Sequence, residues 1–204
     1  MSQQTTGAGI ILCGGKSERM GRAKPLLPFG DEVLLQRVTR VLAEVVTPLI
    51  VVASPEQSLP TFSCETVVVY DRHRGHGPLE GLAVGLKALP KTIDIAFVTG
   101  CDTPFINPLF VARILSFLDG YTAAIPKEGG RYHPLCAAFS RSALPHIEKL
   151  LAAGERRMGL LIESIARREV LPTEWCDVDP HSNSLRNVNN PEDYAAALRE
   201  AGIQ

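Results

Sequence analysis

The stretch Ala8-Gly9-Ile10-Ile11-Leu12-Cys13-Gly14-Gly15-Lys16-Ser17-Glu18-Arg19-Met20-Gly21-Arg22-Ala23-Lys24-Pro25 decides the fold class. Its first six residues are apolar nearly throughout and read as a buried strand. The glycines that follow let the backbone approach a ligand closely and aim amide N–H groups at phosphate oxygens. Lys16, Arg19, Arg22 and Lys24 add cationic groups along the same loop. A triphosphate suits it. The alternative is a mobile surface loop with solvated charges, and placement directly after a first strand argues against that. Two familiar phosphate motifs fail here. Gly15-Lys16-Ser17 looks like the end of a P-loop, but the motif needs glycine where Ile10 stands, and Gly9 is one position out of register. Gly7-Ala8-Gly9 precedes the strand and lacks the third glycine of a dinucleotide fingerprint.

Outward from this stretch, short β-branched runs alternate with helical patterns. Further strands are expected at Leu49–Ala53, Thr66–Tyr70, Ile95–Thr99, Ala123–Ile125 and Pro134–Phe139. Leu34, Val38, Val41, Leu42 and Val45 form a helical stripe. Further helices are expected from about Pro78 to Leu89, Pro108 to Leu118, Ser142 to Ala152 and Pro191 to Ala201. Such alternation gives an α/β fold with a mostly parallel sheet covered on both faces. Ligands of these sheets sit at the carboxyl ends of the strands, so the informative residues should follow strands.

The 204 residues include 45% hydrophobic and 21% charged residues, enough for one continuous core, and we expect a single domain over 1–204. A net charge of -1 argues against nucleic acid as the main partner. The five cysteines form no CxxC knuckle and their odd count fits a disulfide framework poorly, so reduced thiols are expected. Met1 to Thr6 has no signal-peptide character and no apolar run approaches the ~20 residues of a membrane span. A cytoplasmic location is therefore expected.

Several positions after strands carry chemistry. Asp71 closes the strand Thr66–Tyr70; it is either a solvated turn residue or a ligand contact. Gly77-Pro78-Leu79-Glu80-Gly81-Leu82 opens a helix and offers either free N–H groups to an anion or simply a tight connection. Between them, Arg72, His73, Arg74 and His76 single out no one residue. Asp102, in Cys101-Asp102-Thr103-Pro104, follows a strand and is well placed to hold Mg2+, which takes one or two carboxylates plus substrate phosphates. A helix-capping role for it is already filled by Asn107 before Pro108. His133-Pro134-Leu135 starts a strand after the Glu128-Gly129-Gly130 turn, and His133 is either a surface residue or a substrate contact. In Asn187-Val188-Asn189-Asn190-Pro191-Glu192-Asp193, Asn190 reads as a helix cap, while Asn187 and Asn189 remain functional candidates. Arg156-Arg157 and Arg167-Arg168 read as solvated faces flanking a short helix, with Arg156 or Arg157 as an alternative anion contact. Trp175 reads as packing.

The loop GGxSxRMGxxK, matched by Gly14, Gly15, Ser17, Arg19, Met20, Gly21 and Lys24, resembles the nucleotide-binding loop of the molybdenum cofactor guanylyltransferases. GPLxGL, CDxP and the NxN-PED segment follow in that family's order over nearly the whole chain. The resemblance implies a Rossmann-like three-layer sandwich with a mixed, mostly parallel sheet, of the nucleotide-diphospho-sugar transferase type. It implies transfer of GMP from GTP to molybdenum-bearing molybdopterin, releasing pyrophosphate, with Mg2+ as cofactor. It assigns Lys24, Arg19 and Asp102 to catalysis, with Asp102 as metal ligand. Leu12, Cys13, Gly14, Gly15, Lys24, Asp71, Gly77 and Asp102 would bind the nucleotide, and Asn187, Asn189 and His133 are candidates for the pterin side. Molybdoenzymes or their chaperones are implied recipients of the product.

Two rivals stand beside that reading. A cytidylyltransferase acting on the same pterin would typically carry AAG where this chain has Cys13-Gly14-Gly15. A non-catalytic delivery protein of the same fold would have no need of both Lys24 and Asp102.

Overall fold

The computed structural model describes residues 7–14, 23–71 and 77–203. Strand β1 (Ala8–Leu12) is followed by a hairpin of β2 (Pro28–Phe29) and β3 (Glu32–Val33) and by helix α1 (Leu34–Leu42). Then come β4 (Leu49–Ala53), β5 (Thr66–Tyr70), α2 (Pro78–Ala88), β6 (Ile95–Gly100) and α3 (Pro108–Ser116). The second half runs β7 (Ala123–Glu128), β8 (Arg131–Tyr132), β9 (Cys136–Ser140), α4 (Leu144–Ala152), α5 (Met158–Ser164), β10 (Arg167–Val170) and α6 (Pro191–Glu200).

The main sheet has the order β10-β7-β9-β6-β1-β4-β5, with β8 paired to β7. Along the seven-strand path only β9 runs against its neighbours, β6 and β7. The β1, β4, β5 and β6 pairings are parallel, as is β10 with β7.

Side chains of β1 alternate between two cores. Ile11, with Cys13 just beyond the strand, packs with Leu35 and Val38 of α1 and with Phe110 and Ile114 of α3. Ile10 and Leu12 pack on the opposite face with Leu79, Leu82 and Leu86 of α2, Ile147 of α4 and Leu161 of α5. A strand buried on both faces must be apolar at every position, which is why β1 and β4 read as unbroken runs. The result is the expected three-layer α/β sandwich. A smaller cluster of Leu27, Phe29, Leu34, Val188 and Ala197 docks the β2–β3 hairpin against α6. No helix among the described residues is long and apolar enough to cross a membrane.

Two sequence expectations need correction. The strand expected from Pro134 begins at Cys136, and His133–Leu135 forms the turn before it. A backbone bond from Cys136 N to His133 O closes that turn at 3.1 Å. Arg167 and Arg168 are not on a solvated helix flank but on β10, an edge strand. There the Arg167 guanidinium lies 5.4 Å from the Tyr132 ring centroid and that of Arg168 5.4 Å from the Phe117 ring centroid, so the charged groups themselves lie over aromatic rings. The β2–β3 hairpin was not anticipated either. By contrast, Arg156 and Arg157 are exposed and do flank α5. Trp175 is fully buried edge-on against Phe110, with Nε1 donating to Ser182 Oγ at 3.2 Å.

Candidate active site

The chain runs from β1 outward to β4 and β5, then returns to β6 on the other side of β1. That reversal opens a crevice at the carboxyl ends of β1 and β6, where open α/β sheets bind ligands. Cys13-Gly14 leaves β1 there and Cys101-Asp102 leaves β6.

Asp102 is half-buried and held from several directions. Lys24 Nζ donates to its Oδ2 at 2.9 Å, and Asn187 Nδ2 donates to its Oδ1 at 3.3 Å. Val188 N donates to the Asp102 main-chain oxygen at 2.8 Å. Thr103, buried below, anchors the turn by donating to Gly100 O at 3.1 Å. Lys24 Nζ also donates to Asn189 Oδ1 at 3.2 Å, so one ammonium bridges the turn after β6 and the segment before α6. Residues separated by 78, 85 and 165 positions thus meet at one point. Lys24 itself opens a short 3-10 turn, Lys24–Leu26, with Pro25 in its first turn, which fixes where the side chain leaves the backbone.

The helix ends near this point are capped by other residues. Asn107 accepts from Leu109 N at 2.8 Å at the start of α3, so Asp102 is not needed as a cap. Asn190 accepts from Asp193 N at 2.7 Å at the start of α6, and Asn189 N donates to Asp193 Oδ2 at 2.9 Å. That second bond sets the position of Asn189 for Lys24.

A second group lies on the β4–β5 side. Leu12 O accepts from Cys101 N, Cys13 N donates to Val52 O, and Cys13 O accepts from Gln57 Nε2 at 3.1 Å. Those main-chain groups are therefore engaged by neighbouring elements, and Gly14 is the first exposed residue of the loop. A Cβ on Gly14 would stand 2.6 Å from Asp71 Oδ2, so only glycine lets this backbone approach the carboxylate. Asp71 N is fixed by Ala53 O at 2.9 Å, while its Oδ1 is buried and has no hydrogen-bond partner among the described residues. Gly77, at φ 79°, starts α2 in a conformation glycine adopts without strain.

Burial, and then the nearby Glu80, raise the Asp71 carboxyl from its ordinary value to about 6. The folded protein holds this proton more tightly than the unfolded chain. The stability cost is absent below the unfolded carboxylate value, grows as pH rises towards 6, and is complete above it. Asp71→Asn is therefore expected to raise the melting temperature at pH 8, with the gain fading towards pH 4. Thermal unfolding of both proteins across that range checks this, and a gain independent of pH contradicts it.

The sequence-predicted residues thus form two groups: Lys24, Asp102, Asn187 and Asn189 in one, and Leu12, Cys13, Gly14 and Asp71 beside it. Gly77 stands at the start of α2. His133 makes no hydrogen bond to either group among the described residues; burial lowers its pKa. Gly15, Lys16, Ser17, Arg19, Met20, Gly21 and Arg22 lie outside the described residues, as do Arg72, His73, Arg74 and His76. Sequence reasoning missed Gln57 and Glu80. Gln57 carries no motif. Glu80 is 6% exposed, and its only signal was an acidic residue in the first turn of an otherwise apolar helix. Burial also raises the Cys13 thiol, with Cys101 beside it as a further cause.

Residues 9–169 match the family model of the MobA-like NTP transferase domain. The chain belongs to the MobA-like NTP transferase family. A relative from Mycobacterium avium named "Probable molybdenum cofactor guanylyltransferase" is 34% identical over 193 residues, covering 93% of each chain. A Pelotomaculum thermopropionicum protein of the same name is 36% identical over 191 residues, covering 93% of this chain and 90% of its own. Among solved structures, the Archaeoglobus fulgidus molybdopterin-guanine dinucleotide biosynthesis protein A superposes with a TM-score of 0.80 at 20% identity, covering 96% of this chain and 98% of its own. That likeness shows the fold, and the family match makes this MobA-like chain a nucleotidyltransferase.

Proposed function

We propose that the protein transfers GMP from GTP to molybdopterin, giving the guanine dinucleotide form of the cofactor and pyrophosphate. The observation that carries this reading is the single ammonium of Lys24 joining Asp102 to Asn189, with Asn187 on the other Asp102 oxygen. It lies at the mouth of the β1–β6 crevice of a MobA-like chain, and the curated relatives named above are guanylyltransferases by name.

In the proposed reaction an acceptor phosphate oxygen attacks the α-phosphorus of GTP in line, and pyrophosphate leaves. The nucleophile is a phosphate, already ionised near neutral pH, so no general base is required of the chain. Lys24 binds and orients the triphosphate, together with Arg19, and preset positive charge at the reacting phosphates is where electrostatic stabilisation is largest. Asn187 and Asn189 orient the acceptor phosphate. His133 is retained on the acceptor side by resemblance alone.

The donors at this point suit Mg2+: the Asp102 carboxylate and the carboxamides of Asn187 and Asn189 are hard oxygen ligands, and Mg2+ needs only one or two carboxylates when phosphates complete its shell. Bound there by Asp102, it would neutralise charge on the triphosphate. The reaction is placed in the cytoplasm, with molybdoenzymes or their chaperones receiving the product.

Base choice falls to the second group. Gly14 brings the backbone against the Asp71 carboxylate, the acceptor group proposed for the neighbouring N–H groups of guanine. GTP is expected to bind more tightly than CTP or ATP. Calorimetric titration with the three nucleotides in the presence of Mg2+ checks this, and preference for CTP would contradict the guanylyl reading.

A further inference from the structure

The Cys13 carbonyl, where the chain leaves β1, is held from the connection between β4 and β5. Gln57 in that connection donates from Nε2 to Cys13 O at 3.1 Å, while its Oε1 accepts from Ser54 N at 2.9 Å. Only this orientation of the carboxamide gives the carbonyl a donor and the Ser54 N–H an acceptor. The connection is itself a closed turn: Gln57 N donates to Ser54 O at 3.1 Å, with Pro55 and Glu56 (φ 64°) between them. We infer that Gln57 is a positioning residue for the nucleotide. It fixes the Cys13–Gly14 peptide so that the Gly14 N–H is presented to an oxygen of bound GTP. The inference rests on the proposed function and assigns part of its GTP affinity to a side chain that does not touch the ligand.

The direction of the Gly14 N–H follows from the strand pairing. Leu12 O accepts from Cys101 N at 3.3 Å, on the β6 side. Cys13 N donates to Val52 O at 2.8 Å, on the β4 side, and Cys13 O is turned to the same side, towards Gln57. Across a planar trans peptide the Gly14 N–H is opposite to the Cys13 C=O. It therefore points towards β6, where Asp102 and Lys24 stand. In a parallel ladder, the rung after Cys13 N to Val52 O would run from Ser54 N to Cys13 O. The Gln57 carboxamide stands between those two groups, accepting from one and donating to the other. It thus replaces a rung of the sheet at the point where β1 and β4 part. The turn is packed against the peptide it holds, since a Cβ on Gly14 would lie 3.3 Å from Ser54 Oγ. A backbone donor fixed before the ligand arrives lowers the ordering cost of binding.

Gln57→Met tests the inference. It removes both side-chain bonds at similar length, and the main-chain bond from Gln57 N to Ser54 O still closes the turn. Cys13-Gly14 is the only Cys–Gly pair in the sequence. Isotope labelling of cysteine at its carbonyl carbon and of glycine at its nitrogen therefore gives a single carbonyl-correlated amide NMR peak, that of Gly14. In the wild type this peak is expected to shift when GTP and Mg2+ are added. In Q57M it is expected to stand elsewhere already in the free protein. Kd for GTP, by calorimetric titration, should rise about three- to tenfold, the loss of one neutral hydrogen bond. Gln57→Glu keeps the acceptor for Ser54 N and lacks the donor for Cys13 O, and it should move the same peak. A peak unmoved in both variants would overturn the inference, even if GTP affinity and Tm fall together, because Gln57 would then be structural alone. A moved peak with unchanged GTP affinity would overturn it too, and in each case a wild type that binds GTP leaves the proposed function standing. If the wild type binds no GTP, the proposed function falls and this inference with it.

Discussion

Asp102→Asn is expected to leave the fold intact and to lower turnover by about 10²-fold or more. The substitution keeps side-chain shape and an oxygen that can accept from Lys24 Nζ. The main-chain bond from Val188 N to Asp102 O does not depend on the side chain. What disappears is the negative charge that fixes the Lys24 ammonium and that would hold a divalent cation. The cap of α3 is Asn107, so no helix end is exposed by the change. GTP should still bind through the loop after β1, because Gly14 and Asp71 belong to the other group. Pyrophosphate release and the Tm of the purified variant check this together. Near-normal turnover would remove Asp102 from the reaction.

Lys24→Ala is expected to act mainly on GTP affinity. A charge-assisted bond to a phosphate contributes about 1.5–3 kcal/mol, so Kd for GTP should rise roughly 10- to 150-fold. Some stability should be lost too, since Lys24 and Asp102 are 20% and 15% exposed at the side chain. That burial lies between the exposed pair, worth under about 1 kcal/mol, and the fully buried pair, whose breaking costs about 3–5 kcal/mol. For a chain of this length such a loss lowers Tm by several degrees without unfolding the protein at 25 °C. Calorimetric titration and thermal unfolding separate the two effects. Unchanged GTP affinity with lowered Tm would make Lys24 purely structural.

The parts of the fold legible in the sequence were those whose burial leaves no choice of residue. Leu49–Ala53 and Thr66–Tyr70 were read with the observed ends, and β1 to within a residue, because strands in a mostly parallel sheet show as apolar or β-branched runs. Arg167–Val170 hid its strand. At a sheet edge charged side chains can lie across aromatic rings instead of entering solvent, so composition pointed the wrong way. The two-residue strands β2 and β3 were too short for periodicity to register.

For the candidate site, each motif could be read separately and the assembly could not. Asp102 and Asn187 are 85 positions apart, and only the packing of the segment before α6 on the turn after β6 brings them to 3.3 Å. Asp71 was visible as an acid at a strand end. Its tight approach to Gly14 follows from the adjacency of β1, β4 and β5, which the order of strands in the chain does not disclose. Glu80 and Gln57 were silent for the same reason: their relevance comes from neighbours supplied by other elements.

The proposed reaction moves the GMP moiety of GTP onto the phosphate of molybdopterin. The most direct measurement incubates the purified protein with Mg2+, molybdopterin and GTP carrying a label on its α-phosphate, following the label and free pyrophosphate together. Label is expected in a pterin–guanine dinucleotide with an equal amount of pyrophosphate, both dependent on molybdopterin and both lost in Asp102→Asn. Transfer from labelled CTP in preference to GTP, or pyrophosphate formed without any labelled dinucleotide, would contradict it.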